Sequence, residues 1–244
     1  MKSYHEMGIG YCNATMTLDL LDRKNKYSNG FCHWPVPAWT KPDGTHVPSE
    51  TNFTSLADPN AVGSGLTALA TLMHEAGHAA HFANIKQPSP LFSQERAPTS
   101  VAYAENQSMF LDSLVSDAAW RAKYARNMEG NPIPFSIIEE GLRSTHPFKV
   151  FQLRAMLVVS YFEKALYELD DDKVTSENVQ KLADEIENKI QGGLSSRPLL
   201  SVPHLVSDEA SCYYQGYTVS TTGEILFCLF HKISTYVTSF IFDF

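Results

Sequence analysis

The sequence predicts a mainly α-helical protein with a small antiparallel β-sheet near its N-terminal end. Alternation of apolar and polar side chains, the pattern of strands, is confined to residues 10–58. From Val62 onward the apolar residues recur at helical spacing, in stretches that continue to about residue 191. The 244 residues, 43% of them hydrophobic, are enough to build a substantial core.

Three short strands are predicted ahead of the first long helix. Residues 14–20 alternate, a polar turn follows at 24–30, and residues 31–34 supply the second arm of a hairpin. A further strand is expected at residues 51–54. The sheet should therefore be built before the chain turns helical.

The helix that begins near Val62 is rich in alanine and is expected to be almost entirely buried. Its small side chains would let neighbouring elements approach closely, and Pro88 and Pro90 end it. One stripe of the helix is apolar and consists of Leu69, Met73, Ala76, Ala80 and Ala83. The opposite stripe carries three histidines, His74, His78 and His81. Later helices are expected from near Thr99 and over residues 113–128, 135–143, 148–169 and 176–191.

The two remaining segments are predicted to be neither long helices nor membrane spans. Residues 192–217 are irregular and end in a tyrosine cluster. Residues 224–244 are long enough for a membrane helix, but His231 and Lys232 interrupt them and their composition favours strands. We expect an edge strand or a disordered tail there.

Charge and cysteine content exclude several classes of partner. The formal net charge is -8, and no dense cluster of Lys and Arg occurs, so nucleic acid is not an expected partner. The four cysteines lie far apart without a CxxC pair, which favours reduced thiols over a thiolate metal site. The N-terminus lacks the apolar core of a signal peptide. We expect a monomer without a membrane partner.

Residues 74–78 read His-Glu-Ala-Gly-His, which is the strongest functional signal in the chain. His74 and His78 are one helical turn apart and can bind one zinc ion, while Glu75 can act as a general base on a water molecule. A chance match is the alternative, but three histidines on one face of a buried helix would be costly to desolvate. His81 is interpreted as a core histidine rather than a third ligand.

Glu105 is the predicted third zinc ligand. It lies in a helical stretch that is otherwise largely apolar, and Asp112 follows on the same face, where it could accept a hydrogen bond from a ligand imidazole. Glu95 is an alternative ligand in more polar surroundings, and a solvated surface acid is the alternative role for Glu105. The extended metzincin pattern is excluded because residue 81 is not Gly and residue 84 is not His.

Several segments together resemble a known family. The segments are residues 18–20, 26–27, 74–81, 103–108, 203–205 and 213–217. In these segments the chain is similar to the thimet oligopeptidase-like zinc peptidases, which include neurolysin, oligopeptidase F and the mitochondrial intermediate peptidases.

The resemblance implies a gluzincin-type catalytic domain with one Zn²⁺ that hydrolyses internal bonds of short peptides. By the same resemblance His204 binds substrate and Tyr217 donates to the oxyanion, with Tyr213 as its companion. Relatives are several hundred residues long, so residues 1–217 would represent only the catalytic region and residues 218–244 a non-matching tail. Family members occupy the cytoplasm, which we expect here, or mitochondria.

Two features depart from the family pattern and leave other interpretations open. Residues 206–211 replace a Gly-rich loop, with Glu209 near where a catalytic tyrosine is common. The largely helical N-terminal part that walls a deep channel in family members has no counterpart in this chain. The chain could be a truncated fragment that binds zinc or peptides without turnover. It could also be a different metal-dependent hydrolase, acting on a non-peptide amide, or a helical module without a metal.

Overall fold

The structure is a computed structural model. It describes residues 2–27, 29–92, 100–194, 198–207 and 210–223. The predicted tail at 224–244, the alternative ligand Glu95 and the atypical Glu209 therefore lie outside the described residues.

The predicted fold class is confirmed, because helices dominate and a small sheet precedes the first long helix. The helices are α1 (Lys2–Glu6), α2 (Ser64–Asn84), α3 (Val101–Ser113), α4 (Ala118–Tyr124), α5 (Phe135–Thr145), α6 (Lys149–Tyr167), α7 (Ser176–Gln191) and α8 (residues 214–223). The strands are β1 (Thr15–Leu21), β2 (Cys32–Val36), β3 (Trp39–Thr40), β4 (His46–Val47) and β5 (Glu50–Ala57). No helix in the described part of the chain has the length and apolarity to cross a membrane.

The predicted hairpin between the first two strands is wrong. β5 lies between β1 and β2, parallel to β1 and antiparallel to β2, so the sheet is mixed. β5 contains the most buried stretch of the three strands, which favours the central position. The turn after β1 also folds over the sheet end, because the Lys26 ammonium donates to the backbone oxygens of Asp19, Leu21 and Ser55.

Two predicted helices differ in their bounds. The stretch predicted at 113–128 is split by a 3₁₀ turn (Leu114–Ser116), and α4 starts afresh with Asp117 accepting a hydrogen bond from the Trp120 amide. α3 starts at Val101 because the Ser100 hydroxyl caps it. Residues 192–217 were expected to be irregular, but the last four of them, 214–217, belong to α8.

α2 is the central element that positions the site. Its second half is buried between the sheet and α3, but its first half is not, and Leu69 is 36% exposed despite its place on the predicted apolar stripe. One core cluster joins α2 to the sheet and α3, and another joins α6 and α7. α8 returns to α3, where the buried Ser220 hydroxyl donates to the Ala102 carbonyl.

Candidate metal centre

The structure brings the side chains of His74, His78 and Glu105 together. The Glu105 Oε2 atom lies 3.2 Å from His74 Nε2 and 3.4 Å from His78 Nε2. One donor atom from each residue lies within 4.8 Å of the other two. The histidines come from adjacent turns of α2, and the carboxylate comes from the facing turn of α3.

Glu105 is held from two sides. Its side chain is only 2% exposed, the Ser108 hydroxyl donates to Oε2 at 2.9 Å, and the Tyr213 hydroxyl donates to Oε1 at 2.6 Å. A solvated surface role for this acid is therefore wrong. A hydroxyl donor therefore lies beside each carboxylate oxygen and orients the group.

The two histidines are supported unequally. His74 Nδ1 lies 2.8 Å from Asp112 Oδ2, the contact expected for an imidazole that presents Nε2 to a metal. His78 stacks on the Phe82 ring, with centroids 5.6 Å apart, and its buried Nδ1 has no hydrogen-bond partner among the described residues. Asp112 thus orients one of the two rings.

The cluster is electrostatically coupled. Burial alone would raise the pKa of Glu105, but the adjacent imidazoles outweigh it and hold that pKa well below its usual range. Burial would lower the pKa of His74, yet Asp112 and Glu105 raise it well above its usual range. The two carboxylates therefore favour a positive charge beside them, which a proton or a metal ion can supply.

The donor set and its spacing fit zinc. Imidazole nitrogen and carboxylate oxygen are ordinary zinc ligands, and donors on a tetrahedral zinc ion are about 3.3 Å apart. The observed separations from Glu105 to the two rings are 3.2 and 3.4 Å. These three residues supply the number of protein ligands found at catalytic zinc sites, where a fourth position stays open.

Glu75 lies beside this cluster and faces a cleft. It lines two adjoining cavities of about 440 and 530 Å³, both of which also reach His74, His204 and Tyr217. Burial raises the pKa of Glu75, against the lowering effect of the two histidines. A carboxyl group with a raised pKa is suited to accept and return a proton near neutral pH.

The other predicted site residues, His204, Tyr213 and Tyr217, line the cavity of about 440 Å³ in the same cleft. The Tyr217 hydroxyl lies 3.5 Å from His204 Nε2, whereas the Tyr213 hydroxyl is directed to Glu105. The two tyrosines thus have different surroundings, which the sequence alone did not distinguish.

Strand β2 forms the opposite wall. Residues 30–34 line the cleft, and the Trp34 ring packs on Phe82 with centroids 4.3 Å apart. β2 is an edge strand of its sheet. A β-carbon at Gly30, two residues before β2, would come within 2.1 Å of Thr71 on α2 and 3.6 Å from Glu75 Oε1, so the chain approaches α2 at a residue that has no side chain.

Two residues complete the comparison with the sequence. His81 stays outside the cluster, as predicted, with its ring against Phe82 and Tyr103. Glu163 was missed, although its side chain is 2% exposed and accepts the Cys212 amide hydrogen at 2.6 Å. The position of this acid on the apolar face of α6 is the feature of the sequence that could have indicated a buried role for it.

The chain matches the model of a known protein family. The model of peptidase family M3 matches residues 10–221, which runs from just before β1 into α8. No curated protein matches the chain significantly. The matched range includes all seven residues discussed above as site candidates, namely His74, Glu75, His78, Glu105, His204, Tyr213 and Tyr217.

Proposed function

The chain belongs to peptidase family M3, a family of zinc metallopeptidases, and on that premise we propose that it hydrolyses internal bonds of short peptides with one zinc ion. The observation that carries the proposal is the convergence of His74, His78 and Glu105 at the spacing of zinc ligands. Cytoplasmic localisation and a monomeric state stay predictions.

The proposed ligands are the two Nε2 atoms and the Glu105 carboxylate. When bound, zinc supplies Lewis-acid polarisation of a carbonyl and lowers the pKa of a water molecule. Tyr213 and Ser108 keep the Glu105 carboxylate oriented, and Asp112 keeps Nε2 of His74 free by occupying Nδ1.

Glu75 is the proposed general base. Its carboxylate takes a proton as the water oxygen attacks the peptide carbonyl carbon, and it returns that proton to the nitrogen when the C–N bond breaks. In the metal-free protein burial raises its pKa, which favours uptake of that proton. Its neighbours in α2 are the proposed ligands, so one helix turn supplies ligand and base together.

Tyr217 is the proposed donor to the carbonyl oxygen as negative charge develops there. Its hydroxyl faces the cleft beside His204, and His204 is proposed to contact the substrate. Tyr213 is assigned differently, because its hydroxyl already donates to Glu105 at 2.6 Å.

Cleavage away from the C-terminal end of a peptide is supported by the charges around the cleft. The described residues that line the two cavities include no Lys or Arg to bind a terminal carboxylate. An extended substrate can instead pair with the free edge of β2, whose backbone borders the cleft.

The test combines metal analysis with cleavage of a quenched peptide library and a panel of non-peptide amides. We expect about one zinc ion per chain and hydrolysis of internal bonds in short peptides. Glu75→Gln should keep the zinc while the hydrolysis rate falls by about 10²–10⁴-fold.

Three outcomes would contradict the proposal. Zinc without hydrolysis of any substrate would indicate a zinc- or peptide-binding fragment, and cleavage of non-peptide amides alone would indicate a different hydrolase. Undiminished activity in Glu75→Gln would refute the proposed base. Glu139→Gln, at an exposed ion pair on α5, is a control that removes one carboxylate away from the cleft.

A further inference from the structure

Glu163 on α6 is a buried acid outside the metal cluster. Its side chain is 2% exposed, and Val159 and Phe162 on the same helix are equally buried. Among the lysines and arginines that the structure describes, none forms an ion pair with it. Burial of a carboxylate is costly unless hydrogen bonds compensate, so its donors identify its role.

Glu163 holds a turn of the chain that comes from far away in the sequence. Its Oε1 accepts the Cys212 amide hydrogen at 2.6 Å, and the Tyr167 hydroxyl donates to the same oxygen at 3.4 Å. Cys212 has a φ of 54°, in the left-handed region that costs a residue with a side chain about 1–3 kcal/mol. A charge-assisted hydrogen bond to its amide offsets that cost.

The turn at Cys212 directs the next residue into the metal centre. Tyr213 is 9% exposed and donates to Glu105 Oε1 at 2.6 Å. α8 starts immediately afterwards, at residue 214. A continuous set of contacts therefore leads from the Glu163 carboxylate through the Cys212 backbone and the Tyr213 hydroxyl to Glu105.

We propose that Glu163 is a positioning residue for the metal centre: it fixes the left-handed turn at Cys212 and thereby places the Tyr213 hydroxyl on Glu105. This role rests on the proposed function, because Glu105 is there a zinc ligand. α6 contributes none of the proposed ligands, but by this proposal it helps to orient Glu105. Glu163 is not one of the three clustered donors, and it lines neither of the two cavities.

The test is a double-mutant cycle between Glu163→Met and Tyr213→Phe. Met removes the acceptor at similar size, and we expect zinc affinity and kcat/KM to fall at least about tenfold, the scale of a lost hydrogen bond to a charged group. In the Tyr213→Phe background, Glu163→Met should lower zinc affinity and kcat/KM less than about twofold, because the hydrogen bond from residue 213 to Glu105 is already missing. Glu163→Gln retains an acceptor oxygen and should recover most of the loss.

A merely structural role predicts a different result. Val159→Ala, at a buried apolar residue on the same helix, should lower the melting temperature and act equally in both Tyr213 backgrounds. If Glu163→Met also lowers zinc affinity and kcat/KM by the same factor in both Tyr213 backgrounds, the positioning role is refuted. Unchanged zinc affinity and kcat/KM in Glu163→Met would refute it as well.

Amide hydrogen exchange on the metal-free protein separates this inference from the proposed function. Glu163→Met should speed exchange at Cys212 and Tyr213 while the amides of α7 keep the wild-type rate. If the wild-type chain neither binds zinc nor cleaves peptides, the proposed function fails, and the exchange rates still decide whether Glu163 fixes the turn. Unchanged exchange at Cys212 would overturn the inference whatever the activity.

Discussion

Gly77 packs directly against the backbone of Ser108. A β-carbon at residue 77 would lie 2.9 Å from the Ser108 Cα and 3.3 Å from the Gln107 carbonyl oxygen. The absence of a side chain here allows α2 and α3 to approach within backbone contact. Glu105, one turn before Ser108, thereby reaches the two imidazoles that flank Gly77 in the sequence.

Gly77→Ala should therefore weaken the metal site. The new methyl group must push the helices apart, which costs about 1–3 kcal/mol of stability as overpacking does. We expect zinc affinity to fall at least about tenfold, because the ligand on α3 moves away from those on α2. Competition with a chromogenic chelator measures the affinity, and urea unfolding measures the stability.

Gly65→Ala is the matched control in the same helix. A β-carbon at Gly65 meets no atom within 4 Å. Since alanine favours a helix over glycine by about 0.5–1 kcal/mol, this variant should be as stable as the wild type or more so. Equal zinc affinities for the two alanine variants would show that the close approach at Gly77 does not set the ligand geometry.

Asp112→Asn should weaken zinc binding through His74. The carboxylate lies 2.8 Å from His74 Nδ1 and favours the tautomer that leaves Nε2 free. We expect a loss of zinc affinity of about 10–100-fold, the usual effect of removing such a partner. Isothermal titration with zinc measures it.

A different aspartate serves as the control for Asp112. Asp117 caps α4 and accepts the Trp120 amide hydrogen at 2.7 Å, away from the cluster. Asp117→Ala should cost about 1 kcal/mol of stability, as for other lost helix caps, without altering zinc affinity. If Asp112→Asn changed only stability, the orienting role would be excluded.

The two tyrosines should separate into distinct kinetic classes. Tyr217→Phe should lower kcat by about 10²–10³-fold with unchanged zinc affinity, the effect of losing a donor to the developing oxyanion. Tyr213→Phe should instead lower zinc affinity, since its hydroxyl donates to Glu105. Steady-state kinetics at saturating zinc, together with chelator competition, distinguish them; the reverse pattern would exchange the two roles.

Local spacing made much of the site predictable, whereas long-range pairing did not. His74, Glu75 and His78 are related by one helical turn, and Glu105 stood out as an acid among apolar residues. The strand order depends on Phe53 pairing with both Leu18 and Cys32, which no local pattern encodes. The contacts of Glu163 required the fold as well, because its acceptor oxygen faces a backbone amide 49 residues away.

His81 should make the stability of the protein fall with acidification. Burial, together with the nearby charge of His78, lowers the pKa of His81 to about 4. Its Nδ1 is buried without a hydrogen-bond partner among the described residues, which favours the neutral ring. In the unfolded chain the pKa is about 6.5, so between these values the unfolded state binds more protons and stability declines as pH falls.

For the metal-free protein, this single group should cost about 2 kcal/mol of unfolding free energy between about pH 7 and pH 5. His81→Phe keeps a ring against Phe82 and Tyr103 but cannot titrate, so its loss over that interval should be smaller by this amount. Urea unfolding in the presence of a chelator gives the unfolding free energy of wild type and His81→Phe as a function of pH. The variant His46→Phe, at an exposed residue, shows whether removing any histidine reduces this pH dependence. Parallel curves for wild type and His81→Phe would mean that His81 takes up its proton equally in the folded and unfolded states.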